Sequence, residues 1–370
     1  MQPVSRGFPL NRLLVYCYFC PDAKHRPGGV QQIISPLLLS LARSYGWDIT
    51  VVHPGFCHAS PSHFTILEQN TGSEPDSINP NVLSDIALKV RELATKHDLV
   101  LSIDRLLPGP LPRPCVLMSN TLGYLTEAVA VQGAQWALIV VPTERFARAV
   151  SSVNLAARVC IVPYGLSEKL IRAALTSPPS VWGNGPLKVR LPHRPDQRKG
   201  HRQAIEGLAR ALPRSSNVRL EISWLDEIRY LPYREELVRL ANHFGVSSQV
   251  HFYSWLNGSD RWRAITDSCA VLQLGDYEES FGLSIIESIL FGKPAITQRQ
   301  DAIREVVGGL GLLLEIPNPL DWYEALEAYY SDQHKEIHNL AGRQILAQSL
   351  SIERMTAHYD RILSEEIHGS

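Results

Sequence analysis

The chain has 370 residues and a mass of 41.3 kDa, more than one ordinary domain takes and enough to bury its cores without disulfide staples. Hydrophobic residues make up 45% and charged residues 20%, the balance of a soluble globular protein. Lys and Arg number 36 against 37 Asp and Glu, so the net charge of −1 supplies no global field to hold nucleic acid.

The first half alternates strands and helices. Leu13–Tyr18 is an apolar strand, followed by the glycine-bearing loop Arg26–Gly29 and an amphipathic helix over Val30–Tyr45 that Gly46 closes. Further strands are expected at Ile49–His53, Leu99–Ile103, Cys115–Met118, Leu138–Val141 and Val159–Val162, with helices over Val82–His97 and Glu144–Val153. Cys17 and Cys20 form a Cys-x-x-Cys with no second pair to complete a zinc site, and read as small residues ending a buried strand. The turn formers Ser177–Pro186 read as part of a linker. Alternation then restarts with strands at Lys188–Leu191, Val218–Ser223, Val250–Tyr253, Val271–Leu274 and Ala295–Thr297. Helices are expected over Gln203–Leu212, Tyr233–Phe244, around Trp262, over Ser284–Phe291 and in the tail from Asp321. Buried strands alternating with helices predict parallel sheets covered on both faces, arranged as two doubly wound α/β domains. The expected boundaries are an N-terminal domain over 1–170, a linker over 171–186, a second domain over 187–350 and a C-terminal helix over 351–370 that returns to the first domain.

Three stretches carry chemistry. Glu279 and Glu287 flank the start of the helix over Ser284–Phe291. The amides of Phe281, Gly282 and Leu283 would point out of that helix end toward an anionic or hydroxyl-rich ligand. Helical spacing groups Ile285, Ile286, Ile289 and Leu290 on one face and Ser284, Glu287 and Ser288 on the other. A carboxylate accepts from two neighbouring hydroxyls, which suits a ribose and a sugar; two solvated glutamates on an ordinary connection is the competing reading. The basic loop Arg194–Arg202 follows a strand at the carboxyl edge of the second sheet, where Arg194 and Lys199 are placed to meet a diphosphate, the alternative being a solvated charge run. Gly28 and Gly29 sit at the first strand–helix junction, where backbone can approach a phosphate, or simply make a tight turn.

In order, Gly28-Gly29, Val162–Leu166, Arg194 to Lys199-Gly200, Glu279 to Glu287 around Phe281-Gly282-Leu283, Glu305-Val306-Val307 and Gly311–Leu313 run through nearly the whole chain. This series resembles the retaining GT-B glycosyltransferases of family four, which use nucleotide-diphosphate sugars. The resemblance implies two Rossmann-like domains facing a central cleft. It implies that Arg194 and Lys199, with Gly28 and Gly29, hold the donor diphosphate, that Glu287 binds the ribose, and that Glu279 faces the transferred sugar as a catalytic residue. Phe281, Gly282 and Leu283 would contact sugar and phosphate through their amides, and Asn120, where the family often has His, would lie near acceptor and sugar as a second catalytic position. The chain departs from the family pattern at Ser119-Asn120-Thr121, Leu274-Gly275 and Gln300-Asp301-Ala302.

Charge accumulating on a leaving diphosphate needs preorganised cations and helix-end amides. The sequence has no Asp-x-Asp, so no metal and no further cofactor is expected beside a UDP- or GDP-linked sugar. Residues 1–170 carry 14 Lys and Arg against 12 Asp and Glu, too even a balance for anionic lipid. The expected acceptor is therefore a small soluble molecule, as would suit a secondary-metabolite pathway, with at most weak peripheral membrane contact and no nucleic acid. No apolar stretch reaches the length of a membrane span and the N-terminus lacks signal-peptide character, so the chain reads as cytoplasmic. A homodimer is compatible with this reading. An epimerase or phosphorylase of related fold and a non-catalytic nucleotide-sugar binder are the alternatives; donor turnover with and without acceptor separates them.

Overall fold

The computed structural model describes residues 11–17, 29–53, 65–68, 80–104, 114–119, 136–152, 158–177, 186–212, 214–331 and 340–369. Two compact units emerge, Met1–Ser167 with Leu350–Ser370, and Glu168–Ser349.

In the first unit the apolar runs become parallel strands: β1 (Arg12–Cys17), β2 (Asp48–His53), β3 (Thr65–Glu68), β4 (Leu99–Ile103), β5 (Cys115–Met118), β6 (Leu138–Val141) and β7 (Arg158–Ile161). Their order is β3-β2-β1-β4-β5-β6-β7. Every residue of β4, β5 and β6 is buried, as a sheet covered on both faces requires. Helices α1 (Gly29–Tyr45), α2 (Pro80–Ala94) and α3 (Glu144–Ser151) lie between strands. Thr143 caps α3 by accepting from the Phe146 amide at 3.3 Å. The C-terminal helix, Ile352–His368, belongs to this unit and packs on α1, with Trp47 Nε1 donating to Asp360 at 2.7 Å.

The second unit starts earlier than the composition suggests. Residues 168–176, partly assigned above to a linker, form α4 (Glu168–Thr176), whose Leu170 and Ala174 are buried, and residues 178–185 lie outside the described residues. Then come β8 (Leu187–Leu191), α5 (His201–Arg210), β9 (Val218–Trp224), α6 (Leu231–His243), β10 (Val250–Ser254), α7 (Gly258–Thr266) and β11 (Ala270–Gln273). They are followed by α8 (Leu283–Leu290), β12 (Ala295–Thr297), α9 (Asp301–Val307), β13 (Leu313–Glu315), α10 (Trp322–Ser331) and α11 (Leu340–Ser349). The strand order is β10-β9-β8-β11-β12-β13, all parallel. Its order reverses between β8 and β11, and ligands of open α/β sheets bind outside the carboxyl ends of the strands at such a point. The basic loop follows β8 and the Glu279 loop follows β11, so both motifs sit at this reversal.

Candidate functional site

The two loops are locked together by missing side chains. Gly200 ends the 3-10 turn Gln197–Lys199 at φ 85°, a conformation that favours glycine. A Cβ on Gly200 would stand 2.4 Å from the Gly275 amide nitrogen, and one on Gly275 would stand 1.7 Å from the Arg198 carbonyl oxygen. The Leu274-Gly275 departure noted above is thus a condition of the contact, since no side chain fits between the loops.

That contact brings Lys199 to Glu279. Their side chains form an ion pair, 16% and 17% exposed, and Lys199 Nζ also lies 3.8 Å from the centre of the Tyr277 ring. Gln300, at the N-cap of α9, holds the loop from the other side. Its Oε1 accepts from the Glu279 amide at 3.1 Å and its Nε2 donates to the Tyr277 carbonyl at 3.1 Å. The Gln300 departure therefore has a job. It clamps the Glu279 loop through a side chain.

Asp196 caps the 3-10 turn, accepting from the Arg198 amide at 2.9 Å, and the Arg198 guanidinium holds its carboxyl below the usual range. Arg194, five residues before Lys199, is exposed and makes no hydrogen bond or ion pair among the described residues. His193, directly before Arg194, is buried. Its Nε2–H donates to the Leu272 carbonyl at 3.1 Å, leaving Nδ1 facing Ser284 Oγ at 3.5 Å. Burial first, and then the Lys199 charge, push His193 well below the ordinary histidine range, so it is neutral. His201 is buried likewise, with its pKa pushed down to about 4, and its Nδ1–H donates to the Asp196 carbonyl at 3.2 Å.

At the start of α8, Gly282 takes φ 79°, and an added Cβ would meet Ile303 at 2.5 Å. Phe281 is 1% exposed and anchors the loop in the core. The competing reading of two solvated glutamates does not fit Glu287. Glu287 is 1% exposed and Ser288 fully buried, because α8 is covered by other helices on the side that spacing alone presents to water. Glu287 meets Arg261 of α7 at 2.5 Å. Burial raises the Glu287 pKa and Arg261 opposes the rise. Spacing supplied Lys199, Glu279 and Glu287; it missed Gln300, His193 and Arg261, which lie outside the motif and are recruited by sheet geometry.

In the first unit Gly29 opens α1, while Gly28 and Asn120 lie outside the described residues. Among the described residues no group of three or more His, Cys, Asp or Glu is arranged to hold a metal, and no helix is long and apolar enough to cross a membrane.

Residues 180–344, which fall in the second unit, match the family model described as Glycosyl transferases group 1. The whole fold is shared with GT-B glycosyltransferases. Sucrose-phosphate synthase from Thermosynechococcus elongatus is 16% identical, with a TM-score of 0.77, over 97% of this chain and 100% of that one. WaaG, a glycosyltransferase involved in lipopolysaccharide biosynthesis, is 18% identical with a TM-score of 0.70, over 98% and 100%. HepE of Anabaena, in complex with UDP and glucose, is 16% identical with a TM-score of 0.69, over 96% and 100%. Among curated proteins none matches the chain.

Proposed function

We propose that this protein is a glycosyltransferase that moves a sugar from a nucleotide-diphosphate donor to a small soluble acceptor, with retention of anomeric configuration and without a metal ion. The observation that carries the reading is the Lys199–Glu279 pair, seated by the Gly200–Gly275 contact at the carboxyl edge of the second sheet, with buried Glu287 about a turn inside the helix that follows. In this reading Lys199 and exposed Arg194 take the diphosphate as charge develops on it, and the α8 amides of Leu283 and its neighbours add their dipoles. Glu279, released from Lys199, faces the sugar, and Glu287 takes the ribose. Gly28, Gly29 and Asn120 are assigned to the diphosphate and acceptor side by the resemblance. A UDP- or GDP-linked donor is the favoured class, and HepE's complex with UDP supports the first of these.

A thermal-shift panel of UDP, GDP, ADP and TDP tests the donor, because a ligand that binds the folded state raises its apparent stability. Glu279→Gln should lower turnover more than nucleotide binding, and Glu287→Gln the reverse; an exchanged pattern would swap the two roles. Donor consumed without acceptor would point to an epimerase, tight binding without turnover to a non-catalytic binder. Activity abolished by EDTA and restored by magnesium would defeat the metal-free step. Flotation with anionic vesicles at physiological salt would defeat the soluble acceptor.

A further inference from the structure

Arg261 belongs to none of the motifs, yet it reaches the most buried carboxylate of the site. From α7 its Nη2 lies 2.5 Å from Glu287, and its side chain is 13% exposed. The same guanidinium lines a small pocket at the carboxyl ends of β8, β9 and β10, together with Arg190, Ser223, Tyr253 and Trp255. Ser223 Oγ and the Tyr253 hydroxyl satisfy each other at 2.5 Å. In contrast, Nε of Arg261, Nε1 of Trp255, and Nε and Nη1 of Arg190 are buried without hydrogen-bond partners. The orphan polar atoms of the pocket are therefore all N–H donors, and buried donors without acceptors are costly enough to need an explanation.

A carboxylate as buried as Glu287 would by itself take up a proton, and would then offer an O–H where two ribose hydroxyls need acceptors. A guanidinium at 2.5 Å opposes this and places a cation against one carboxylate oxygen while leaving lone pairs over. Resting on the nucleotide-sugar reading above, we propose that Arg261 determines donor specificity: through Nη2 it holds Glu287 ionised and oriented for the ribose hydroxyls, and through Nε it donates to an acceptor atom of the nucleoside.

Calorimetry of UDP and GDP against their 2′-deoxy counterparts tests this in the full chain. The wild type should prefer the ribonucleotide by about tenfold or more, the scale of a charge-assisted hydrogen bond. Arg261→Leu should reduce that preference to about twofold or less. Arg261→Lys restores the charge but not the Nε donor, so it should recover the ribose preference while binding the ribonucleotide more weakly than wild type. Should Arg261→Leu not fold, the double variant Arg261→Leu/Glu287→Gln removes the buried unpaired charge. Its ribose preference should then be no larger than that of Glu287→Gln alone. A ribose preference retained in Arg261→Leu, absent from wild type, exceeding Glu287→Gln in the double variant, or not rescued by Lys overturns the inference while leaving nucleotide binding in place. A wild type that binds neither UDP nor GDP overturns the nucleotide-sugar reading itself.

Discussion

Glu279 and Glu287 each meet one cation from another element, yet the two pairs live in different media. The Lys199–Glu279 pair keeps some solvent access, and an ammonium is a compact point charge on a flexible stem that can leave one anion for another. A diphosphate can compete for Lys199 at modest cost. In the Arg261–Glu287 pair the carboxylate itself is out of water, on a helix, with the planar guanidinium reaching it from a second one. Attraction there must offset desolvation of both ions, so breaking the pair from one side leaves a buried charge uncompensated. The same pairing of charges is thus exchangeable at the loop and fixed at the helix, and burial makes the difference.

Arg261→Leu should give the largest effect if that contrast holds: a loss of about 3–5 kcal/mol, measured by urea denaturation. The sign of its pH dependence follows from Glu287. Burial raises that carboxyl's pKa and Arg261 restrains the rise, so the variant's pKa climbs further. A raised carboxyl contributes stability while protonated and loses it as pH rises through its folded pKa. The deficit of Arg261→Leu should therefore be smaller at pH 5 than at pH 8, and a constant deficit would show that Glu287 is not the group left unpaired. Gly275→Val attacks only the exchangeable pair, by forcing the loops apart where Arg198 oxygen leaves no room. Turnover should fall about 10²-fold, as misplacement near 1 Å commonly costs. An active Gly275→Val enzyme would break the link between loop contact and site. Lys199→Ala should weaken donor binding by about 1.5–3 kcal/mol by calorimetry, a charged hydrogen bond's contribution, with folding stability changed less than in Arg261→Leu. Gln300→Ala, which frees the Glu279 loop without touching charge, should cost about 1 kcal/mol and lower turnover slightly. An effect equal to that of Lys199→Ala would mean that the clamp, not the cation, organises the loop.

Strands such as Leu99–Ile103 and Cys115–Met118 are legible because a parallel strand covered on both faces must be an unbroken apolar run. Helix α4 escaped notice because the proline-rich stretch after it dominates the local composition. Strand β13 escaped because three residues carry no periodicity. The parallel α/β class and the placement of Glu279, Phe281–Leu283 and Glu287 on one short helix and its entry loop were legible in the sequence alone, since such an element obeys nearest-neighbour rules. What the tertiary structure decided is which cation meets which carboxylate, and in what medium. Lys199 lies 80 residues from Glu279 and Arg261 lies on a neighbouring helix, and their encounters depend on strand order and on two glycines in contact. Burial of Glu287 on what spacing marks as a polar face depends on the helices packed over α8, and a helical pattern carries information about its own faces but none about what will cover them.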